Sequence, residues 1–333
     1  MLRRLALAVP TLFGVALVTF IVSHLIPADP LALLLKNRAQ ASPEIVEAYR
    51  LRYGLDRTLP EQFLLYLSGL VRGDLGTSFA TRQPVAADLA TYLPATIELA
   101  LAAMVIAIAV GLPLGILAAI RHGSWIDHLA RVLATIGAAV PAFWLGLVLL
   151  FVLYYRLGLL PGPGRIDATL MEPPRVTGMI LIDSALAGDW IAFRSGLRHM
   201  ILPAIVLAGY PVAMLARLTR ASLLDALGTD YIRTARAKGL SEQRVVSQHA
   251  LRNALIPTVT AAGLVFGYLL AGAVTVEIVF SWPGIGRYAV NAASSLDYPA
   301  ILGITLIVAI VFIVTNLLVD IAYGLLDPRI RTG

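Results

Sequence analysis

Of the 333 residues, 59% are hydrophobic and 14% charged, and the formal net charge is +6. A soluble domain of this length carries about a quarter charged residues, so the composition excludes an ordinary soluble globular protein. The chain has no cysteine, which excludes disulfides and thiolate metal sites.

Six stretches free of Asp, Glu, Lys and Arg are long enough, or nearly so, to cross a bilayer as helices: 5–27, 99–120, 132–155, 199–216, 253–276 and 298–319. Arg3 and Arg4 precede the first. That run is long for a signal core and no small-x-small cleavage site follows, which predicts an uncleaved first span. Segment 28–98 holds two amphipathic stretches. SPEIVEAYRLRYGLD, residues 42–56, offers Ser42 as a cap, Pro43 at the first helical position, Glu44 in the first turn and Gly54 as a stop. The second runs from Pro60 to Val71. Both predict helices that lie on the outer face or cap the bundle.

The third stretch contains Pro141 and the fourth Pro203 and Pro211. Prolines are tolerated in membrane helices where neighbours re-satisfy the backbone. Between these spans, segment 156–198 opens with the turn-rich LGLLPGPGR, and its VTGMILID, residues 176–183, is apolar but too short to span.

The polar island 229–257, TDYIRTARAKGLSEQRVVSQHALRNALIP, has matched helix signals. Thr229 is a candidate cap and Asp230 suits the positive end of a helix dipole. Arg236 and Lys238 fall in the last turn, Gly239 is a left-handed stop, Ser241 is a cap for a second helix, and Pro257 ends that helix or hands it to the next span. A helix of about nine residues is marginal alone in water. By spacing, it either docks into a groove on a partner or is a solvated loop obeying the positive-inside rule. Ionisable residues beside the spans are Glu98, Arg217, Glu277 and Asp320. Each has an interfacial role or a functional one; for Glu277 the functional role is a polar entrance that meets a peptide's amino terminus.

Inner segments 1–4, 121–131, 217–252 and 327–333 hold 13 Lys and Arg with five acids. The outer segments 28–98, 156–198 and 277–297 also hold 13, with 14 acids, over more than twice the length. This density predicts both termini in the cytoplasm. It also accounts for a pI near 9.7 without a nucleic-acid surface, because no basic and aromatic residues interleave as in single-strand binders. There is no G-x-x-x-x-G-K-[ST] phosphate cradle, no G-x-S-x-G elbow, and no metal-ligand pair among the five histidines.

DYIRTARAKG followed by HALRNALIP resembles the cytoplasmic signature loop of permease subunits in bacterial ABC importers of the dipeptide and oligopeptide class. The general form of that loop, Glu-Ala-Ala, three residues, Gly, is met in part. Arg233, Thr234 and Ala235 occupy the triplet and Gly239 the glycine, while Arg252 stands where the general form has Pro; both departures match the peptide-importer subgroup. The opening RRLALAVPTLFGVALVTFIVSHLIPADP, GDLGTS at 73–78, FSWPGIGR at 280–287 and DPRIR at 327–331 resemble the same class in order.

The resemblance implies an all-α, six-span polytopic membrane protein with the ABC importer type I permease fold. Its parts are an N-terminal span 1–27, an extracytoplasmic segment 28–98 and a core permease domain 99–333, with outer loops 156–198 and 277–297 and a cytoplasmic coupling loop 217–252. It implies an inner-membrane location, no catalytic residue, and no cofactor in this chain. A homologous second permease, two ATPase subunits holding ATP and Mg, an extracytoplasmic binding protein, membrane lipid and a dipeptide or short-peptide cargo are the implied partners. Asp230, Tyr231, Ile232, Arg233, Arg236, Lys238 and Gly239 are the implied contact with the ATPase, and Glu277 is a candidate for the substrate path. Glutathione, nickel chelates and haem-type cargo use similar permeases. A secondary transporter would carry paired discontinuous helices or intramembrane charges in repeated halves, which are not evident; a membrane scaffold would have the same spans.

Overall fold

The structure, a computed structural model, describes residues 2–25, 47 and 56–326. Among the described residues there are helices and turns and no strand; Thr77 and Pro84 make an isolated antiparallel bridge. In chain order the helices are α1 (Leu2–Leu25), α2 (Leu59–Val71), α3 (Val85–Ile120), α4 (Trp125–Ala139), α5 (Ala142–Leu149, continued by π-helical turns to Arg156) and α6 (Ile180–Ala187). They are followed by α7 (Trp190–Leu227), α8 (Asp230–Ala237), α9 (Glu242–Arg244, continued by π-helical turns to Ala250), α10 (Leu251–Val279), α11 (Ile285–Ser294) and α12 (Tyr298–Leu326). The helix expected over 42–56 and the DPRIR segment at 327–331 lie outside the described residues, apart from Glu47, which is helical, and the turn at Asp56.

Among the described residues five helical segments are long and apolar enough to cross a bilayer, 7–25, 85–120, 190–227, 242–270 and 298–318, and α4 with α5 makes a sixth if a bent pair counts as one. The stretch expected as one span over 132–155 is therefore two legs meeting at 103°. The cause is local. A residue before proline is pushed out of the helical region, and Val140 and Pro141 adopt extended backbone at φ −76°, ψ 124° and φ −60°, ψ 133°.

Two helices run well past their apolar stretches. Nothing between Ala216 and Gly228 breaks a helix, so α7 continues to Leu227. Its 38 residues span about 57 Å, against a hydrocarbon core of about 30 Å. Likewise α3 starts at Val85 rather than near Leu99, and Pro257 falls inside α10 rather than ending a helix.

The described residues form two compact units, one from residues 1–94 and 284–313, the other from 95–283 and 314–326. In the first, α2 packs its aromatic face on α1: Phe63 meets Phe13 edge-on at 5.8 Å and Phe20 at 5.2 Å. The Glu61 carboxylate accepts both the N–H and the hydroxyl of Thr58, which fixes the start of α2. The GDLGTS turn is tied down by buried carboxylates. Asp297 accepts from Ser78 Oγ at 2.5 Å and from Ala80 N–H at 3.0 Å, and Asp88 accepts from Thr81 Oγ1 and Tyr288 Oη at 2.5 and 2.9 Å.

The second unit centres on Leu99, Leu202, Leu207, Val265, Leu269 and Trp282, contributed by α3, α7, α10 and the turn after it. Lipid tails are as apolar as these side chains, so close packing rather than water exclusion holds such helices together. At the crossing of α3 and α7 a Cβ on Gly115 would lie 2.5 Å from the Ala216 carbonyl oxygen, so only glycine permits that approach.

Candidate functional site

One end of the second unit is built around α8. Its start has the extended backbone of a cap, Thr229 at φ −79° and ψ 158°, but the Thr229 hydroxyl donates back to the Ala226 carbonyl at 2.5 Å rather than forward into the helix. Its end is the left-handed turn expected of glycine, Gly239 at φ +76°. One face of this short helix is apolar. Ile232, 0% exposed, and Ala235 join Ala119 of α3, Leu223 and Ala226 of α7, Val245 and Ala250 beside α9, and Ala254 of α10 in one buried cluster. That cluster supplies the docking surface a helix of this length needs, and it comes from the chain itself.

The opposite face is exposed and polar. Asp230, Tyr231, Arg233, Arg236, Lys238 and Gly239 are all exposed, so of the seven residues expected at a partner contact only Ile232 is buried. Arg233 pairs with Asp230 at 3.1 Å on the surface, a type of pair worth about 0.3–0.5 kcal/mol. Tyr231 Oη accepts from Asn253 Nδ2 at 3.1 Å, which fixes the ring's tip against α10. Arg236 closes the α8–α9 turn by donating from Nε and Nη2 to Glu242 at 3.1 and 2.6 Å. Beside this turn lies an open groove of about 670 Å³ lined by Gly239, Leu240, Ser241, Arg244 and Gln248 among others.

A second feature of this end escapes sequence reasoning. Arg220 of α7 grips Asp127 of α4 with two parallel bonds, Nε to Oδ1 at 2.7 Å and Nη2 to Oδ2 at 2.8 Å. Asp127 is buried and also accepts the Gly123 N–H at 3.0 Å. The available signal is that Asp127 is the sole acid in the basic stretch 121–131.

Towards the other end of the unit, Glu277 is 0% exposed and accepts the Thr96 hydroxyl at 2.6 Å. Glu98 accepts from Arg165 Nη2 at 2.5 Å and from the Leu181 N–H at 2.8 Å. Arg165 lies over the Trp282 ring at 5.5 Å, and the Trp282 indole donates to the Ala95 carbonyl at 2.9 Å. Nearby, Asp183 lies below the usual carboxylate range. Burial pushes it up, but the Thr177 N–H and hydroxyl, each at 2.7 Å, and the Gly178 N–H at 2.9 Å outweigh burial.

Comparison with known proteins identifies the family. Residues 111–332 fit the family of binding-protein-dependent transport system inner membrane components, and residues 1–100 fit the N-terminal family of the same membrane components. The chain is 46% identical over 332 residues to the dipeptide transport system permease protein DppB of Escherichia coli strain K12, covering 99% of this chain and 98% of that one. It is 47% identical over 329 residues to the di/tripeptide transport system permease protein DppB of Pseudomonas aeruginosa, covering 99% and 97%. It is 40% identical over 330 residues to the glutathione transport system permease protein GsiC of Escherichia coli O6:H1, covering 99% and 98%. A chain of the methionine ABC transporter MetNI in an inward-facing crystal form shares the fold, with a TM-score of 0.51, 16% identity, and coverage of 70% of this chain and 93% of that one. With a helical membrane fold, a seated surface helix at the signature loop and family matches over nearly its whole length, the chain belongs to the inner membrane components of binding-protein-dependent transport systems, the permease subunits of ABC importers.

Proposed function

We propose that this permease carries dipeptides or short peptides inward, pairing with a homologous permease so that the path runs between the two. The cargo is supported by 46% identity to a dipeptide permease, and the coupling by α8: Ile232 and Ala235 are locked into the chain's own core, while Tyr231, Arg233, Arg236, Lys238 and Gly239 are left exposed. A helix seated in this way is a rigid handle. A partner that pushes on its exposed face moves α7 and α10 with it. In this reading two ATPase subunits bind beneath the permease pair and hold ATP and Mg, and one of them meets α8 from the cytoplasm. ATP closes the ATPase pair, the spans rock, and an extracytoplasmic binding protein delivers cargo to the opened path. Both termini are cytoplasmic, segment 28–98 is extracytoplasmic, and residues 99–333 form the transporting core around the coupling loop 217–252. Glu277 joins the path only in a state that exposes it.

Glutathione is the second cargo reading, because a glutathione permease is 40% identical over the whole chain. The test is uptake into proteoliposomes holding the assembled importer and its binding protein. The reading expects a radiolabelled dipeptide to enter only with internal ATP, and unlabelled dipeptide to compete better than glutathione. Preferential competition by glutathione would transfer the cargo to the second reading, and ATP-independent entry would overturn both.

A further inference from the structure

The seam between α4 and α7 is made of small residues except at its inner end. Ala130 and Ala134 are buried in it, and a Cβ on Gly137 would lie 3.0 Å from the Gly209 carbonyl oxygen. Small residues bring backbones close and offer no interlocking side chains to resist a pivot. At the inner end stands Asp127, 1% exposed. Of the groups that satisfy its carboxylate, only Arg220 comes from another helix. The rest belong to its own segment: the Gly123 N–H, Arg131 with Nε 3.7 Å from Oδ1, and the positive end of the α4 dipole, in whose first turn Asp127 sits.

This arrangement bears on what happens if α7 moves. Withdrawing one partner of a buried ion pair is heavily penalised because it strands a charge. Here nothing is stranded. Arg131 is one turn along the same helix, half exposed, and held near by its Nη2 contact to His128 Nδ1 at 2.6 Å. Arg220 is 21% exposed and reaches water along its own stem. Its helix ends seven residues later and leads into α8, to which it is joined by the buried cluster of Leu223, Ala226, Ile232 and Ala235.

We propose that Asp127 is an exchange point, bound to Arg220 in the state described here and passed to Arg131 when α7, carrying α8, turns away from α4 during transport. Arg220 and Arg131 are then positioning residues for the two ends of that motion. The inference rests on the coupling role of α8 given under the proposed function.

The test uses the assembled importer in lipid nanodiscs, with spin labels on Leu129→Cys and Ala221→Cys, both exposed positions in a chain without native cysteine, and with cysteine-free partners. Co-purification of the ATPase subunits is scored first, and its failure counts against the permease reading alone. In the complexes, trapping with ATP and vanadate should add a longer-distance population. Arg131→Met should shrink that population about two- to fivefold, the worth of a partly exposed ion pair, with abundance and thermal midpoint unchanged. Arg131→Lys should restore it, and in an Asp127→Asn background Arg131→Met should have no further effect. A distance that ignores nucleotide, an Arg131→Met variant that behaves as wild type, or an effect that persists beside Asp127→Asn would each overturn the exchange.

Discussion

Gly239 holds α8 and α9 at their present angle because its backbone sits at φ +76°, where a side chain is strained, although open space surrounds the position. A β-branched residue there costs of order 1–3 kcal/mol and is relieved by reshaping the turn. Gly239→Val should therefore leave membrane abundance normal, while ATPase association and ATP-driven uptake fall; wild-type uptake with partners bound normally would remove this turn from the coupling path. Arg236 offers a less clean probe than its charge alone suggests. Its guanidinium already serves Glu242, so Arg236→Glu would place two carboxylates together as well as alter the exposed face. At the outer loop, Asp183 titrates below its unfolded value because the Thr177 and Gly178 donors outweigh its burial. A depressed carboxylate contributes stability that is fully present above the ordinary aspartate range and is lost as pH falls through its folded value. Hydrogen-exchange protection at 177–183, taken relative to the intrinsic rate at each pH, should fall on acidification below that range, and Asp183→Asn should be weakly protected at neutral pH and lose the acid-dependent step. An unchanged acid profile in the variant would assign the effect to other groups.

At the scale of elements, sequence reading succeeded where one cause dominates and failed where two compete. Charge-free length marks the spans, and Thr229 to Gly239 marks α8, because apolar runs and turn glycines act locally. The break at Val140–Pro141 was visible as a proline, but whether the proline bends or divides a span depends on packing that one sequence does not display. The extension of α7 to Leu227 is not legible in hydropathy, where Arg217 and Arg220 look like a loop, while helix propagation needs only the absence of a breaker. The inward face of α8 was likewise hidden, since Ile232 is an isolated apolar residue in a polar stretch and its burial is created by Leu223, Val245 and Ala254 from other elements. That burial makes a prediction. Ile232→Ala removes a fully buried side chain, a change that costs about 2–5 kcal/mol and falls on the seat of α8 alone. Protease cleavage within 229–240 should speed up while the spans remain intact; cleavage at the wild-type rate would mean that α8 is held by its partner and not by its own core.

For the whole molecule, the proposed function requires one polarity: the basic segments 121–131 and 217–252 and the exposed face of α8 towards the cytoplasm, and segment 156–198 away from it. The absence of cysteine makes a single introduced thiol a unique reporter within the chain. Lys238 and Ala168 are both exposed, on the α8–α9 turn and in the outer loop respectively. The most direct measurement is to introduce Lys238→Cys or Ala168→Cys, label intact cells and inverted vesicles with a membrane-impermeant maleimide, and then cross-link the assembled complex. The account predicts that Lys238→Cys reacts only in inverted vesicles and cross-links to an ATPase subunit, while Ala168→Cys reacts only in intact cells and does not. Labelling of Lys238→Cys from outside, or an ATPase cross-link at Ala168→Cys and none at Lys238→Cys, would contradict it.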